Sequence, residues 1–198
     1  MLKDYYISNV LVLHYSPICW KGHLDPDILK MTIYELECTF LYSAVRSNNI
    51  KGVEILLESK ADPNFHPNYQ FIPLHQAIYE ENIDIVKLLL EAKADLETKN
   101  HKGQTSIHLA TYANLDMLKY VCEASKDACI LNDNQETALH YLCQYDEFYL
   151  NHNQTLEMVI YLLKLKCDPS LKNNKNQDCL ELYCETNFNE PNPLIVSI

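Results

Sequence analysis

Apolar residues along this chain fall into paired clusters that return at a fixed distance. A short phrase opens each pair: Thr39-Phe-Leu-Tyr-Ser-Ala44, Ile72-Pro-Leu-His-Gln-Ala77, Thr105-Ser-Ile-His-Leu-Ala110 and Thr137-Ala-Leu-His-Tyr-Leu142. The starts at 39, 72, 105 and 137 give steps of 33, 33 and 32 residues. A more apolar phrase follows each: Val53-Glu-Ile-Leu-Leu, Val86-Lys-Leu-Leu-Leu, Leu118-Lys-Tyr-Val-Cys and Val159-Ile-Tyr-Leu-Leu. The first phrase predicts the start of a short helix and the second lies in a longer one. Ile83, Ile85, Val86, Leu88, Leu89 and Leu90 make a helix too apolar to stand alone in water, so it must be covered on both sides, as in a stack. Pro73 suits a first helical turn, where a missing N–H loses no partner.

Polar stretches separate the pairs, such as residues 95–104, where Gly103 supports a turn. The long helices run into Lys60-Ala-Asp-Pro-Asn64, Lys93-Ala-Asp-Leu-Glu97 and Lys166-Cys-Asp-Pro-Ser170. Together, this wording and period resemble ankyrin repeats over roughly residues 35–186. The resemblance implies an all-α solenoid of stacked helix-turn-helix repeats with projecting β-turn fingers and no active site of its own.

On this reading residues 1–34 are an N-terminal extension or cap. Repeats occupy 35–66, 67–99, 100–131 and 132–172, and a partial repeat at 173–186 forms a C-terminal cap. Residues 187–198, with Pro191 and Pro193, form an extended tail. Asp25-Pro26 ahead of residues 27–36 predicts a helix start. The third repeat is one residue short near Ala113-Asn114. The fourth carries extra residues across 146–154, since Thr137 to Val159 spans 22 residues where Ile72 to Val86 spans 14. Ankyrins usually place glycine where Lys60, Lys93 and Lys166 stand. If these lysines adopt a left-handed conformation, each costs about 1 kcal/mol against glycine.

Composition narrows the functional classes. The formal net charge of −11 and the lack of a basic stripe argue against nucleic acid as a main partner. Eight cysteines are scattered without any Cys-x-x-Cys, several at apolar repeat positions. They read as small buried residues of a reducing compartment rather than as a disulfide framework. No run approaches a membrane span, and residues 9–13 are too short for a signal core. Cytoplasm or nucleus is the expected location, with no membrane partner.

Candidate chemistry is sparse. His75, His108 and His140 hold the fourth place of the short phrase. In ankyrins that imidazole is structural and bonds finger backbone. His140 and Cys143 could share a helix face as a base–nucleophile pair, but both are framework positions without a nearby glycine turn. Cysteine spacing matches no zinc site, and no phosphate-cradling glycine motif is present, so neither metal nor cofactor is expected.

The informative residues are aromatic. Tyr79, Tyr112 and Tyr145 recur every 33 residues late in the short helix, with Arg46 at the same place in the first repeat. In the family that place faces the concave surface and varies with the partner, and both residue types suit binding hot spots. The family's variable finger positions add Asn68, Tyr69 and Phe71, then His101, Lys102 and Gln104, then Asp133, Asn134 and Glu136. The insertion adds Phe148 and Tyr149. Acids at Asp133, Glu136, Asp146 and Glu147 predict a partner with a basic or extended segment.

The expected function is a non-catalytic protein-binding module, an adaptor or stoichiometric inhibitor, as one subunit of a hetero-complex. Short arrays of this kind resemble the IκB inhibitors and the ankyrin-type cyclin-dependent kinase inhibitors. The alternatives are a substrate adaptor of a ubiquitin ligase and a viral or bacterial effector that binds a host protein.

Overall fold

The computed structural model describes residues 32–33, 38–66, 70–144 and 152–186. They belong to two compact units, Met1–Asp95 and Leu96–Ile198.

The first unit opens with two short antiparallel strands, β1 (Thr32–Ile33) and β2 (Cys38–Thr39), pairing Thr32 with Thr39 and Ile33 with Cys38. This corrects part of the helix expected over 27–36. The β-branched Thr32 and Ile33 take a strand partner, as suits their restricted χ1, while the rest of that stretch lies outside the described residues. Thr39 ends β2 and also caps α1 (Phe40–Arg46): its backbone is extended, and its hydroxyl accepts from the Tyr42 N–H at 3.0 Å.

Three more helices complete this unit: α2 (Ile50–Glu58), α3 (Pro73–Tyr79) and α4 (Ile83–Glu91). Asn49 and Asn82 cap α2 and α4 by accepting from backbone N–H groups of the first turn. The long helices bury one stripe each, Val53 and Leu56 in α2 and Ile85, Val86 and Leu89 in α4. Spacing of three and four residues aims these side chains at the neighbouring helix. Helix α1 packs on α2 and α3, α3 on α4, and α2 on α4, which is the expected repeat stack.

The second unit contains α5 (Ser106–Ala110), α6 (Leu115–Ala124), α7 (Ala138–Gln144), α8 (His152–Lys164) and α9 (Cys179–Thr186). Helix α5 packs on α6 and α7, α8 on α6 and α7, and α9 on α7. Leu182 and Tyr183 of α9 are buried. Residues 152–154, expected within an inserted loop, are instead the first turn of α8. No helix among the described residues is long and apolar enough to cross a membrane.

Backbone strain follows the repeat. Lys60, Lys93 and Lys166 have φ of 66°, 70° and 65°, so all three lysines stand in the left-handed region. The turns between paired helices of the first unit carry Asn48 and Glu81, each at φ 55°. The shortened turn of the third repeat carries no such residue. The missing residue falls in the turn that holds a left-handed residue in the first two repeats, so the shortening also removes a strained position.

After α6 the chain leaves through Ser125 in an extended conformation (φ −82°, ψ 153°). The loop that follows carries Cys129, disulfide-bonded to Cys167 with Cα atoms 5.2 Å apart. This corrects the expectation of wholly reduced cysteines. The two are separated by 38 residues, and only the packing of α6 against α8 brings their loops together. Among the described residues Cys122, Cys143 and Cys179 are buried free thiols and Cys184 is an exposed one.

Candidate functional site

Three fingers of the second unit share one hydrogen-bonding design. In each, an asparagine side-chain oxygen accepts from two backbone N–H groups further along. Asn100 takes those of Lys102 and Gln104, Asn132 those of Asn134 and Glu136, and Asn173 those of Lys175 and Gln177, all at 2.8–3.0 Å. The asparagine N–H in turn donates to the backbone oxygen four residues on, closing the finger at 2.9, 3.0 and 2.9 Å. The tips turn through Gly103, Gln135 and Asn176, all with positive φ. Short polar side chains tolerate such turns because they replace backbone partners locally.

Gly103 has a further reason to be glycine. A Cβ there would collide with the Asp133 carboxylate, so the bare backbone is what lets the second finger close against the first. Lys99 fixes the same carboxylate from the first finger's base, Nζ to Oδ1 at 2.7 Å. The third finger is tied to the second by the Asn174 N–H donating to Asn134 O at 2.9 Å and its side-chain amide to Asp133 O at 3.2 Å.

Helices supply the second wall. The ring of Tyr141 in α7 meets His108 edge-on at 5.1 Å and Tyr112 at 5.8 Å. Its hydroxyl accepts from the Asn132 side chain at 3.0 Å, so the aromatic pair is bonded to the finger it faces. Between the walls lies a groove of about 610 Å³.

The groove gathers half of the residues expected to bind a partner: His101, Lys102, Gln104, Tyr112, Asp133, Asn134 and Glu136 all line it. Their roles differ. Gln104 is only 7% exposed and accepts from the Asn100 amide at 2.8 Å, so it staples its finger and does not project. Tyr112 is half-buried against Tyr141, whereas Tyr79 at the end of α3 is 78% exposed. The expected tyrosine column therefore corresponds to two unlike environments. In the first unit Arg46 is exposed at the end of α1, and Phe71 is half-buried with its ring edge-on to Tyr42 at 5.2 Å. Phe71 thus covers a framework tyrosine instead of projecting. Asn68, Tyr69, Tyr145, Phe148 and Tyr149 lie outside the described residues.

The groove also contains Tyr141, Gln144, Asn173, Asn174 and Lys175, which sequence reasoning missed. A signal for the last three exists: Asn100-x-x-x-Gln104 and Asn132-x-x-x-Glu136 recur as Asn173-x-x-x-Gln177. Placing the partial repeat as a mere cap hid a complete finger.

The histidines bind backbone. The N–H of Thr105 donates to His108 Nδ1 at 3.2 Å, and Nε2 meets the Glu136 carbonyl of the next finger at 3.0 Å. His140 repeats the first contact with Thr137 at 3.1 Å. Burial holds both imidazoles below the ordinary histidine pKa and keeps them neutral at pH 7. His75 is buried too, but Ile72 stands in the threonine place, and α3 has no side-chain cap bond. His140 Nδ1 is held by Thr137, and the Cys143 thiol hydrogen-bonds Cys179. That bond holds the Cys179 pKa below its usual value, while burial pushes Cys122 up to about 12.

The charges are unevenly occupied. Asp133 is paired to Lys99, and Glu136 accepts from the Asn132 side chain at 2.8 Å. The Lys102 and Lys175 ammonium groups pair with no carboxylate among the described residues. Of the acids expected to face a partner, Asp133 thus has a cation beside it while staying exposed and Glu136 has an amide donor, and Asp146 and Glu147 lie outside the described residues. A family model for ankyrin repeats, in three copies, matches residues 18–100 and 74–173. No curated protein matches the chain.

Proposed function

The chain belongs to the ankyrin-repeat family, a family of protein-interaction modules, and from that premise we propose that it is a non-catalytic adaptor or stoichiometric inhibitor. It holds an extended segment of a protein partner in the finger-lined groove of the second unit. The observation that carries this reading is the groove itself: about 610 Å³, walled on one side by fingers bonded to one another and on the other by a packed tyrosine pair. Such a site is preorganised, so little conformational entropy is lost when a segment is laid into it. Occupying a segment that another protein needs is sufficient for inhibition, and no chemistry is required of the groove.

We place the encounter in the cytoplasm or nucleus, which the buried free thiols support. Against that placement stands the Cys129–Cys167 bond, which glutathione would oppose.

The test is capture of partners from source cells with three forms: the wild type, Gln144→Trp to block the groove, and Tyr79→Ala to remove an exposed aromatic of the first unit. Circular dichroism confirms that each variant is folded. A partner kept by Tyr79→Ala and lost by Gln144→Trp supports the groove. The reverse pattern moves the site to the first unit.

A further inference from the structure

We infer that the segment taken by this groove is acidic, although the whole chain carries a formal charge of −11; the inference rests on the groove being the partner site. Acceptors and donors in the groove are not balanced. Asp133 is held by Lys99 at 2.7 Å and pressed over Gly103, and Glu136 is held by Asn132 at 2.8 Å. A basic partner would have to compete with these internal donors.

The cations are placed the other way. Lys102 rises from the first finger and Lys175 from the third, both exposed and both lining the groove. Each finger fixes its lysine's backbone through an asparagine, Lys102 N–H to Asn100 and Lys175 N–H to Asn173, both at 2.9 Å. Only the side chains remain to be ordered on binding. Lys172, also near the third finger, is spent on Asp178 at 2.8 Å and does not add to the pair. Two ammonium groups without a carboxylate partner stand at the outer fingers, and between them Asp133 is ion-paired to Lys99 while Glu136 accepts from a neutral amide, an arrangement that complements carboxylates on an extended chain. The rest of the chain repels such a partner at long range, so recognition depends on these short-range contacts.

A random twelve-residue peptide library panned on the full chain tests this directly. The expected result is enrichment of Asp and Glu and depletion of Lys and Arg among selected peptides. Lys102→Glu with Lys175→Glu should weaken a selected acidic peptide by roughly ten-fold in fluorescence anisotropy. The same peptide with its acids replaced by lysine should then bind the double variant better than the wild type. Both lysines are exposed, and thermal melts confirm that the variant is folded. Selected peptides that are basic or neutral, yet blocked by Gln144→Trp, overturn the acidic preference and leave the groove standing. Peptides indifferent to Gln144→Trp, or no selection at all, remove the groove and this inference with it.

Discussion

The two units tie their repeats together with different groups. In the first, asparagine side chains do it: the Asn82 amide donates to the Asn48 side chain across adjoining turns, and Asn64 bonds Lys93 O at 2.9 Å and Asp95 N–H at 2.8 Å. Tyr42 adds a hydroxyl bond to Gln76 at 2.7 Å. In the second, a buried imidazole reaches the next finger, fingers bond one another, and a disulfide joins two helix-following loops. One repeat phrase therefore supports either exposed amide ties or buried ones. Buried ties are more sensitive to loss, because an orphaned buried group is costly.

The largest test of that contrast is reduction. Opening Cys129–Cys167 frees a 38-residue separation and should cost the second unit about 3–4 kcal/mol by loop-closure entropy. Hydrogen exchange with and without reductant should show faster opening in the second unit and an unchanged first unit. Equal loss of protection in both would mean that they unfold as one.

Removing the imidazole comes next. His108→Leu orphans the buried Thr105 N–H and leaves the Glu136 carbonyl with the Asn132 N–H as its donor, and should cost about 2 kcal/mol in urea unfolding. A loss below half of that would show that water replaces the ring.

A smaller effect runs in the opposite direction in the first unit. Lys93→Gly relieves a left-handed lysine and should add about 1 kcal/mol. A lower melting temperature would show that the lysine stem contributes more than its backbone costs.

Acidification is the gentlest probe. His108 and His140 have folded pKa values below the 6.5 of a free imidazole, so their stability is complete above pH 6.5. It is lost as pH falls below that value towards the folded pKa values, because there the unfolded chain binds more protons. Urea midpoints of the second unit should therefore drop between pH 7 and pH 5. Asp168, Asp178 and Glu181, whose pKa values are lowered, act at more acidic pH, below the usual carboxylate range. A midpoint unchanged down to pH 5 would contradict the buried neutral rings.

Much of the fold was legible in the sequence because its signals are local. Helix periodicity, Pro73 in a first turn and the left-handed lysines each depend on residues within one or two turns of themselves. The chain ends were harder to read. The Asp25-Pro26 start signal pointed to a helix through Thr32 and Ile33, which pair as a strand, and the partial repeat opens with a finger at residues 173–177. The candidate site was only half legible. Finger positions were found from the repeat frame, but their environments were not: Gln104 turned inward, and Tyr112 lay against Tyr141.

By itself the sequence determined the period, the paired helices, the asparagine and threonine caps and the positions where the backbone must turn left-handed. All are set by neighbours along the chain. Only the tertiary structure decided which charges are free and which cysteines meet. Lys99 reaches Asp133 from 34 residues away, and Cys129 finds Cys167 across 38. The reason is physical. Pairing of groups so far apart depends on how helices stack and fingers close in space, and no spacing along the chain encodes that.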